Sequence, residues 1–308
     1  MGNYIVSVIL KAGGYKGHTP ERDSMTENNN LPLILEPEAL ETLLASDQPL
    51  KDNLIIIDLC NPQLYRQAHV PGAISVNPAR LVAGTLPARG KLPPVSQLEA
   101  LFGELGYTGE EHFIVYDDEG GGWAGRFIWT LDVIGHKHYS YLNGGIHAWL
   151  KEKHPVESQL NQRASADASI QTVSLNIDDS VIASSDFIID SLDNPEFVIW
   201  DARSPEEYSG EKVMAQKAGH IPGAVNFEWT RAMDPQRNYR IKNGVESELA
   251  AIGINGDKRI ITHCQGHHRS GFTYLVAKSL GFSNVRAYDG SWSEWGNLPN
   301  TPVSLSTS

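Results

Sequence analysis

Leu54-Ile55-Ile56-Ile57-Asp58, followed by His69-Val70-Pro71-Gly72-Ala73-Ile74, is the stretch that sets the fold, because it occurs twice. The second copy is Phe197-Val198-Ile199-Trp200-Asp201, followed by His220-Ile221-Pro222-Gly223-Ala224-Val225. Each copy reads as an apolar strand buried on both faces, an acidic residue at its C-terminal end, and a turn into another short strand. Two further pairs recur in the same order. Phe113-Ile114-Val115-Tyr116-Asp117 matches Ile260-Ile261-Thr262-His263-Cys264, each entering a polar, glycine-containing loop that opens a helix. Tyr141-Leu142-Asn143-Gly144-Gly145 with Trp149 matches Ala287-Tyr288-Asp289-Gly290-Ser291 with Trp295. Three ordered pairs mark a duplicated unit.

Working outward, apolar strands alternate with helical patterns at Leu98 to Leu105, Arg126 to Ile134 and Gly271 to Leu280, which predicts an α/β fold. Each half is then a mainly parallel sheet flanked by helices, with its ligand loops at the C-terminal ends of strands. The 308 residues suffice for two cores. The reading divides them into a flexible, polar N-terminal arm (1–30, with Met25 as an alternative start), a first domain (31–156), a Ser-, Ala-, Gln- and Asn-rich linker between independent cores (157–175) and a second domain (176–308). A net charge of −12 argues against nucleic acid and anionic membranes as partners. Nothing near the N-terminus is framed as a signal peptide, and no run is long enough to span a bilayer. Cys60 and Cys264 are too few for a disulfide framework and predict free thiols in a reducing compartment, the cytoplasm.

Asp201-Ala202-Arg203, Gly219-His220-Ile221-Pro222-Gly223-Ala224, the loop from Cys264 and Tyr288-Asp289-Gly290-Ser291-Trp292-Ser293-Glu294-Trp295 resemble, in family order, the tandem-domain rhodanese family of thiosulfate and 3-mercaptopyruvate sulfurtransferases. In the first half, Leu142-Asn143-Gly144-Gly145 with Trp149 and His154-Pro155 is also similar. The resemblance runs from about Leu33 to Pro302 and implies a catalytically silent first domain and an active second one. Asp117 standing where Cys264 stands agrees, since a carboxylate cannot accept a sulfane sulfur. The resemblance also implies the reaction: sulfur passes from a small anionic donor through a Cys264 persulfide to cyanide or a thiol, by double displacement. Asp201 and Arg203 then lie at a strand end beside the catalytic loop, Asp201 as a structural partner.

In Cys264-Gln265-Gly266-His267-His268-Arg269-Ser270, a cysteine leaves a buried strand and one glycine leads into a helix. Successive N–H groups in such a turn, with the positive end of the helix, favour an anion and lower the thiol pKa. Arg269 and the His267-His268 pair, with Arg203, supply positive or donor character for an anionic substrate. No cofactor is called for. The loop departs from the Cys-Arg-Lys-Gly-Val-Thr and Cys-Gly-Ser-Gly-Val-Thr loops of the animal-type enzymes, and its Arg269-Ser270 ending is more similar to many bacterial rhodaneses. Glu207 stands where those animal enzymes carry a substrate-binding arginine, so that role is not transferred.

Other features read as structural. Cys60 follows a strand without a catalytic loop, His69 and His220 occupy matched turns, and Trp292 and Trp295 are core or pocket wall. A metal site at His263, His267, His268 and Cys264 is disfavoured, because neighbours in one tight loop rarely face a common centre. Gly120-Gly121-Gly122 lacks the ending of a phosphate loop and reads as a surface turn of the first domain. A phosphatase of the related fold expects Cys-x5-Arg, whereas Cys264 to Arg269 is Cys-x4-Arg. A non-enzyme alternative is a sulfur relay, in which Cys264 hands persulfide sulfur to a thioredoxin-like or sulfur-carrier protein.

Overall fold

Alternation along the apolar runs decides how the sheets are covered. In the first repeat Ile56, Ile114 and Leu142 point to one face, and Ile55, Ile57, Phe113, Val115 and Tyr141 to the other. The computed structural model describes residues 31–162 and 173–305. The arm at 1–30 and most of the linker, 163–172, lie outside the described residues.

The first repeat runs β1 (Ile34–Leu35), α1 (Pro37–Ala45), β2 (Leu54–Asp58), α2 (Pro62–Gln67), β3 (Ile74–Ser75), α3 (Val95–Glu104), β4 (His112–Tyr116), α4 (Gly122–Val133), β5 (Tyr139–Leu142) and α5 (Gly145–Lys151). The second runs α6 (Ser185–Ser191), β6 (Phe197–Asp201), α7 (Pro205–Ser209), β7 (Val225–Asn226), β8 (Met233–Asp234), β9 (Arg240–Ile241), α8 (Val245–Ala250), β10 (Arg259–His263), α9 (Arg269–Ser279), β11 (Val285–Ala287) and α10 (Ser291–Trp295). The first sheet has the order β1-β5-β4-β2-β3 and the second β11-β10-β6-β7, with parallel pairing throughout both. A parallel bridge of Ile182 to Ala287 stands where β1 pairs β5 in the first repeat. The β8-β9 hairpin is antiparallel and has no strand counterpart among the described residues of the first repeat.

The expectation of independent cores is corrected. One cluster covers the outer face of the first sheet (Ile56, Ile114, Leu142, Trp149) and another that of the second (Ile199, Ile261, Trp292, Trp295). The largest lies between the sheets and draws on both repeats, with Phe113, Phe127 and Trp129 joining Trp200, Phe272 and Leu275. Helices α4 and α9 meet at two glycines. A Cβ on Gly125 would stand 2.2 Å from the Gly271 carbonyl oxygen, and one on Gly271 would stand 2.6 Å from the Arg126 nitrogen. Buried Asp132 of α4 locks this contact, accepting hydrogen bonds from Tyr139 and, across the repeats, from Tyr274 (2.8 Å each) and from Lys278. The linker composition gave no sign of this shared core because the contact is made by α4 and α9, far from it in sequence.

Helices α3, α4 and α9 begin three, four and two residues before the periodic apolar patterns predicted. The first turns of α4 and α9 carry the loop chemistry, so their residue types follow the site rather than the amphipathic period.

Candidate active site

Cys264 is the first residue after β10, and α9 begins five residues later at Arg269. The turn puts His267 in the left-handed region at φ 53°, and the start of α10, which hydrogen-bonds the turn, does the same with Ser291 at φ 51°. Such backbone costs on the order of 1–3 kcal/mol per residue unless its surroundings hold it. Here they do: the Ser291 hydroxyl accepts the N–H groups of Cys264 (3.3 Å) and His267 (3.1 Å) and donates to the Tyr288 carbonyl (2.8 Å). Sequence reading quoted Ser291 without giving it this role. The signal was present, since its partner in the first repeat is Gly145, at φ 57°.

The sulfur lies in a shell of donors. Cys264 is 1% exposed, the Ser270 hydroxyl donates to Sγ at 3.4 Å, and the N–H groups of Ser270 and Gly266 also face it. Burial by itself pushes the thiol pKa up. The Arg269 charge, the Ser270 hydroxyl and those two N–H groups outweigh burial and leave it below the ordinary value of 9.0. His267 Nδ1 lies 2.8 Å from Ser270 Oγ. With the Ser270 proton directed at sulfur, Nδ1 is the protonated nitrogen, and the imidazole supports the hydroxyl in supporting the thiolate. His267 is fully buried, and burial, aided by the charge of Arg126, drives its pKa well below 6.5. Of the positive or donor character expected of His267, burial therefore leaves the donor role alone.

The other predicted residues disperse. Gln265 donates to the Met214 carbonyl (3.2 Å), and Gly266 packs on Gly90 of the first repeat. His268 turns away from the sulfur, with Nε2 at 3.0 Å from Glu119 and its ring between Trp123 and Trp229 (centroids 4.6 and 5.5 Å). Arg203 is wholly buried, forked onto Asp201 with Nη2 at 2.6 Å, bonded to the Gly219 carbonyl (2.9 Å) and stacked on Trp292 at 4.3 Å. It therefore offers no charge to an incoming anion, contrary to expectation, and Asp201 is its structural partner. Asp201 is held below the ordinary carboxylate range: burial opposes this, but His263 and Arg203 outweigh it. Arg269 alone among the predicted cations lies beside Cys264 with its side chain still partly exposed (20%), and it is clamped by both Glu207 oxygens at 2.6 and 3.0 Å. Glu207 is itself held by the capping box of α7 with Ser204. Its identity was visible in the sequence, but its pairing was not.

Asp117 occupies the matching place after β4. Its carboxyl group accepts the N–H groups of Glu119 (3.0 Å), Gly121 (2.8 Å) and Ala124 (2.9 Å) where the second repeat has its sulfur, and burial raises its pKa above the ordinary 3.8 against these three bonds. Cys60 matches Arg203, and burial drives its thiol far up. Gly120-Gly121-Gly122 is not a surface turn: added Cβ atoms would strike Met233, Phe272 and His268 at 2.8, 2.6 and 2.3 Å. Its glycines let the first repeat close on the second. His69 and His220 stack on Tyr65 and Tyr208 (3.9 and 3.8 Å) and bond their carbonyls, as packing residues do. No cluster able to hold a metal occurs among the described residues.

A sequence model of the rhodanese-like domain matches residues 36–152 and again 185–298. A thiosulfate sulfurtransferase of Azotobacter vinelandii is 52% identical over 281 residues, covering 91% of this chain and 100% of that protein. One of Pseudomonas aeruginosa is 49% identical over the same shares. A sulfur carrier protein of Thermus thermophilus is 29% identical over 252 residues, covering 78% of this chain and 86% of that one. Among solved structures, the anaerobic ergothioneine biosynthesis enzyme of Chlorobium limicola matches with a TM-score of 0.77 at 21% identity, over 90% of this chain and 71% of that one, which shows the shared fold.

Proposed function

The chain belongs to the rhodanese-like family, in tandem form, and is a sulfurtransferase; on that premise we propose that Cys264 carries the sulfur, with thiosulfate as donor. The observation that carries this reading is the convergence of the Ser270 hydroxyl, the Gly266 and Ser270 N–H groups and the Arg269 charge on one sulfur atom. The thiolate attacks the outer sulfur of thiosulfate. A new S–S bond forms to Cys264, the donor's S–S bond breaks, and sulfite leaves with the electron pair. The donors around Sγ then hold the persulfide anion as they held the thiolate. Cyanide, or a thiolate, attacks the terminal sulfur and regenerates the Cys264 thiolate, which makes the kinetics ping-pong.

Arg269 orients the anionic donor, and Glu207 limits how much charge it presents. Asp201, Arg203 and Ser291 position the loop. 3-Mercaptopyruvate is the alternative donor: the thiolate attacks its sulfur, the C–S bond breaks, and pyruvate leaves as the enolate and takes up the thiol proton; thiosulfate is preferred because the two relatives at 52% and 49% identity are thiosulfate sulfurtransferases. The second reading, relay to a thiol of a thioredoxin-like or carrier protein, draws on the likeness to the Thermus sulfur carrier protein. Both cysteines are free thiols, which supports action in the reducing cytoplasm. No helix of the described residues is long and apolar enough to cross a membrane.

Intact mass after mixing with thiosulfate, and separately with 3-mercaptopyruvate, tests the proposal when followed by peptide mapping and cyanide. One sulfur gained on Cys264 and removed by cyanide is the expected result, with Cys264→Ala inert and Cys60→Ala near normal. Sulfur mapped to Cys60, or gained from neither donor, would refute it.

A further inference from the structure

Arg126 lies in α4 of the repeat that carries no reactive cysteine, yet it is fully buried without a carboxylate bonded to it. Its Nη1 and Nη2 donate to the carbonyls of Gly90 and Leu81, each at 2.7 Å, and its guanidinium stacks on Trp129 at 4.6 Å. Nε finds no partner among the described residues. Burying a cation this way costs several kcal/mol, so the fold retains Arg126 against its own stability.

The surroundings point to the reason. The Gly90 segment lies directly on the catalytic loop: a Cβ on Gly90 would stand 2.1 Å from the Gly266 carbonyl oxygen. The same segment is pinned to the second repeat by Leu92 N–H to Asp289 (2.6 Å) and Lys91 to Glu294 (2.8 Å). The next loop residue, His267, meets Trp129 edge to face at 4.6 Å, on the ring that Arg126 stacks against. The negative charges at Asp289 and Cys264 both favour the charged guanidinium, against the burial that lowers its pKa to about 10. Arg126 thus stays a cation at neutral pH.

We infer that Arg126 is a positioning residue for sulfur transfer: it holds the Gly90 wall against Gly266 and lends its charge to the Cys264 thiolate and persulfide. The first repeat is then one side of the catalytic loop's mould, and the active site is built by both repeats. This rests on the reading of Cys264 as the sulfur carrier.

The test is the pH dependence of Cys264 alkylation by iodoacetamide, with thiosulfate–cyanide kinetics and thermal melting, for Arg126→Met, Arg126→Lys and Gly90→Ala in the full chain. Arg126→Met should raise the alkylation midpoint by about 0.5–1 pH unit. It should also lower kcat about 3- to 10-fold, with KM for thiosulfate within about twofold. Arg126→Lys should return the midpoint toward wild type. Gly90→Ala should lower kcat in a folded protein by displacing Gly266. A wild-type alkylation profile and kcat in folded Arg126→Met overturns the inference, as does equal loss in the Met and Lys variants accompanied only by lower melting temperatures. If Arg126→Met does not fold, Gly90→Ala decides, and a wild-type profile and kcat there overturn it. A wild-type protein that takes no sulfur defeats the parent reading, and the alkylation profiles still judge this one.

Discussion

Replacing Ser270 by alanine removes one hydroxyl, and the geometry says what that hydroxyl does. Its proton points at Cys264 Sγ from 3.4 Å, and its oxygen receives the His267 imidazole at 2.8 Å. A hydrogen bond to a charged acceptor contributes about 1.5–3 kcal/mol, and a contact as long as this one belongs at the low end. One pKa unit corresponds to about 1.36 kcal/mol, so the thiol pKa should rise by about one unit. The sign follows from the state stabilised: the hydroxyl favours thiolate, and its loss favours thiol. Alkylation rate against pH reads the shift, with its midpoint moving up and the rate below that midpoint falling about tenfold. A second effect is separable. His267 is left buried without its Nδ1 acceptor, which costs about 1–3 kcal/mol of stability and lowers the melting temperature. A folded Ser270→Ala protein with an unmoved alkylation midpoint would show that the hydroxyl does not support the thiolate, and the donor shell around sulfur would have to be redrawn.

Gly125→Ala drives a methyl into the Gly271 carbonyl at 2.2 Å, where backbone faces backbone; urea unfolding should show a loss of about 1–3 kcal/mol, typical of overpacking. Glu207 has a carboxyl held below its ordinary 4.5, with burial opposing and the Arg269 ion pair, aided by the Ser204 N–H, winning. A depressed carboxylate contributes stability that is complete above the unfolded value and lost as pH falls through the folded one. Melting temperatures followed from about pH 6 down to about pH 3 should therefore drop less steeply in Glu207→Gln than in wild type; parallel curves would count against the pair.

Much of the fold was legible because its signals are local. Ile55 to Ile57 and Val198 to Trp200 are continuous apolar runs, which only a strand covered on both faces accommodates, and their repetition with His-x-Pro-Gly-Ala turns implied two like sheets. Cys264 stood out as the candidate for a related reason: the repeat supplied its own control in Asp117. The helix starts were less legible, since Arg269 and Ser270 in the first turn of α9 answer to the sulfur rather than to a core.

What the sequence determined by itself was therefore the duplicated α/β architecture and the asymmetry between the two loops, cysteine in one and aspartate in the other, all written in neighbouring residues and their repetition. Only the tertiary structure decided the roles around the sulfur. Four cationic candidates were compatible with the sequence, but whether each faces the site depends on partners far away in the chain. Asp201 and Trp292 withdraw Arg203, burial neutralises His267, Glu119 draws His268 away, and Glu207 leaves Arg269 in place but partly compensated. Arg126 and Gly90 reach the catalytic loop only because α4 and α9 touch through glycines, a contact between residues about 146 apart in sequence that no local pattern can encode.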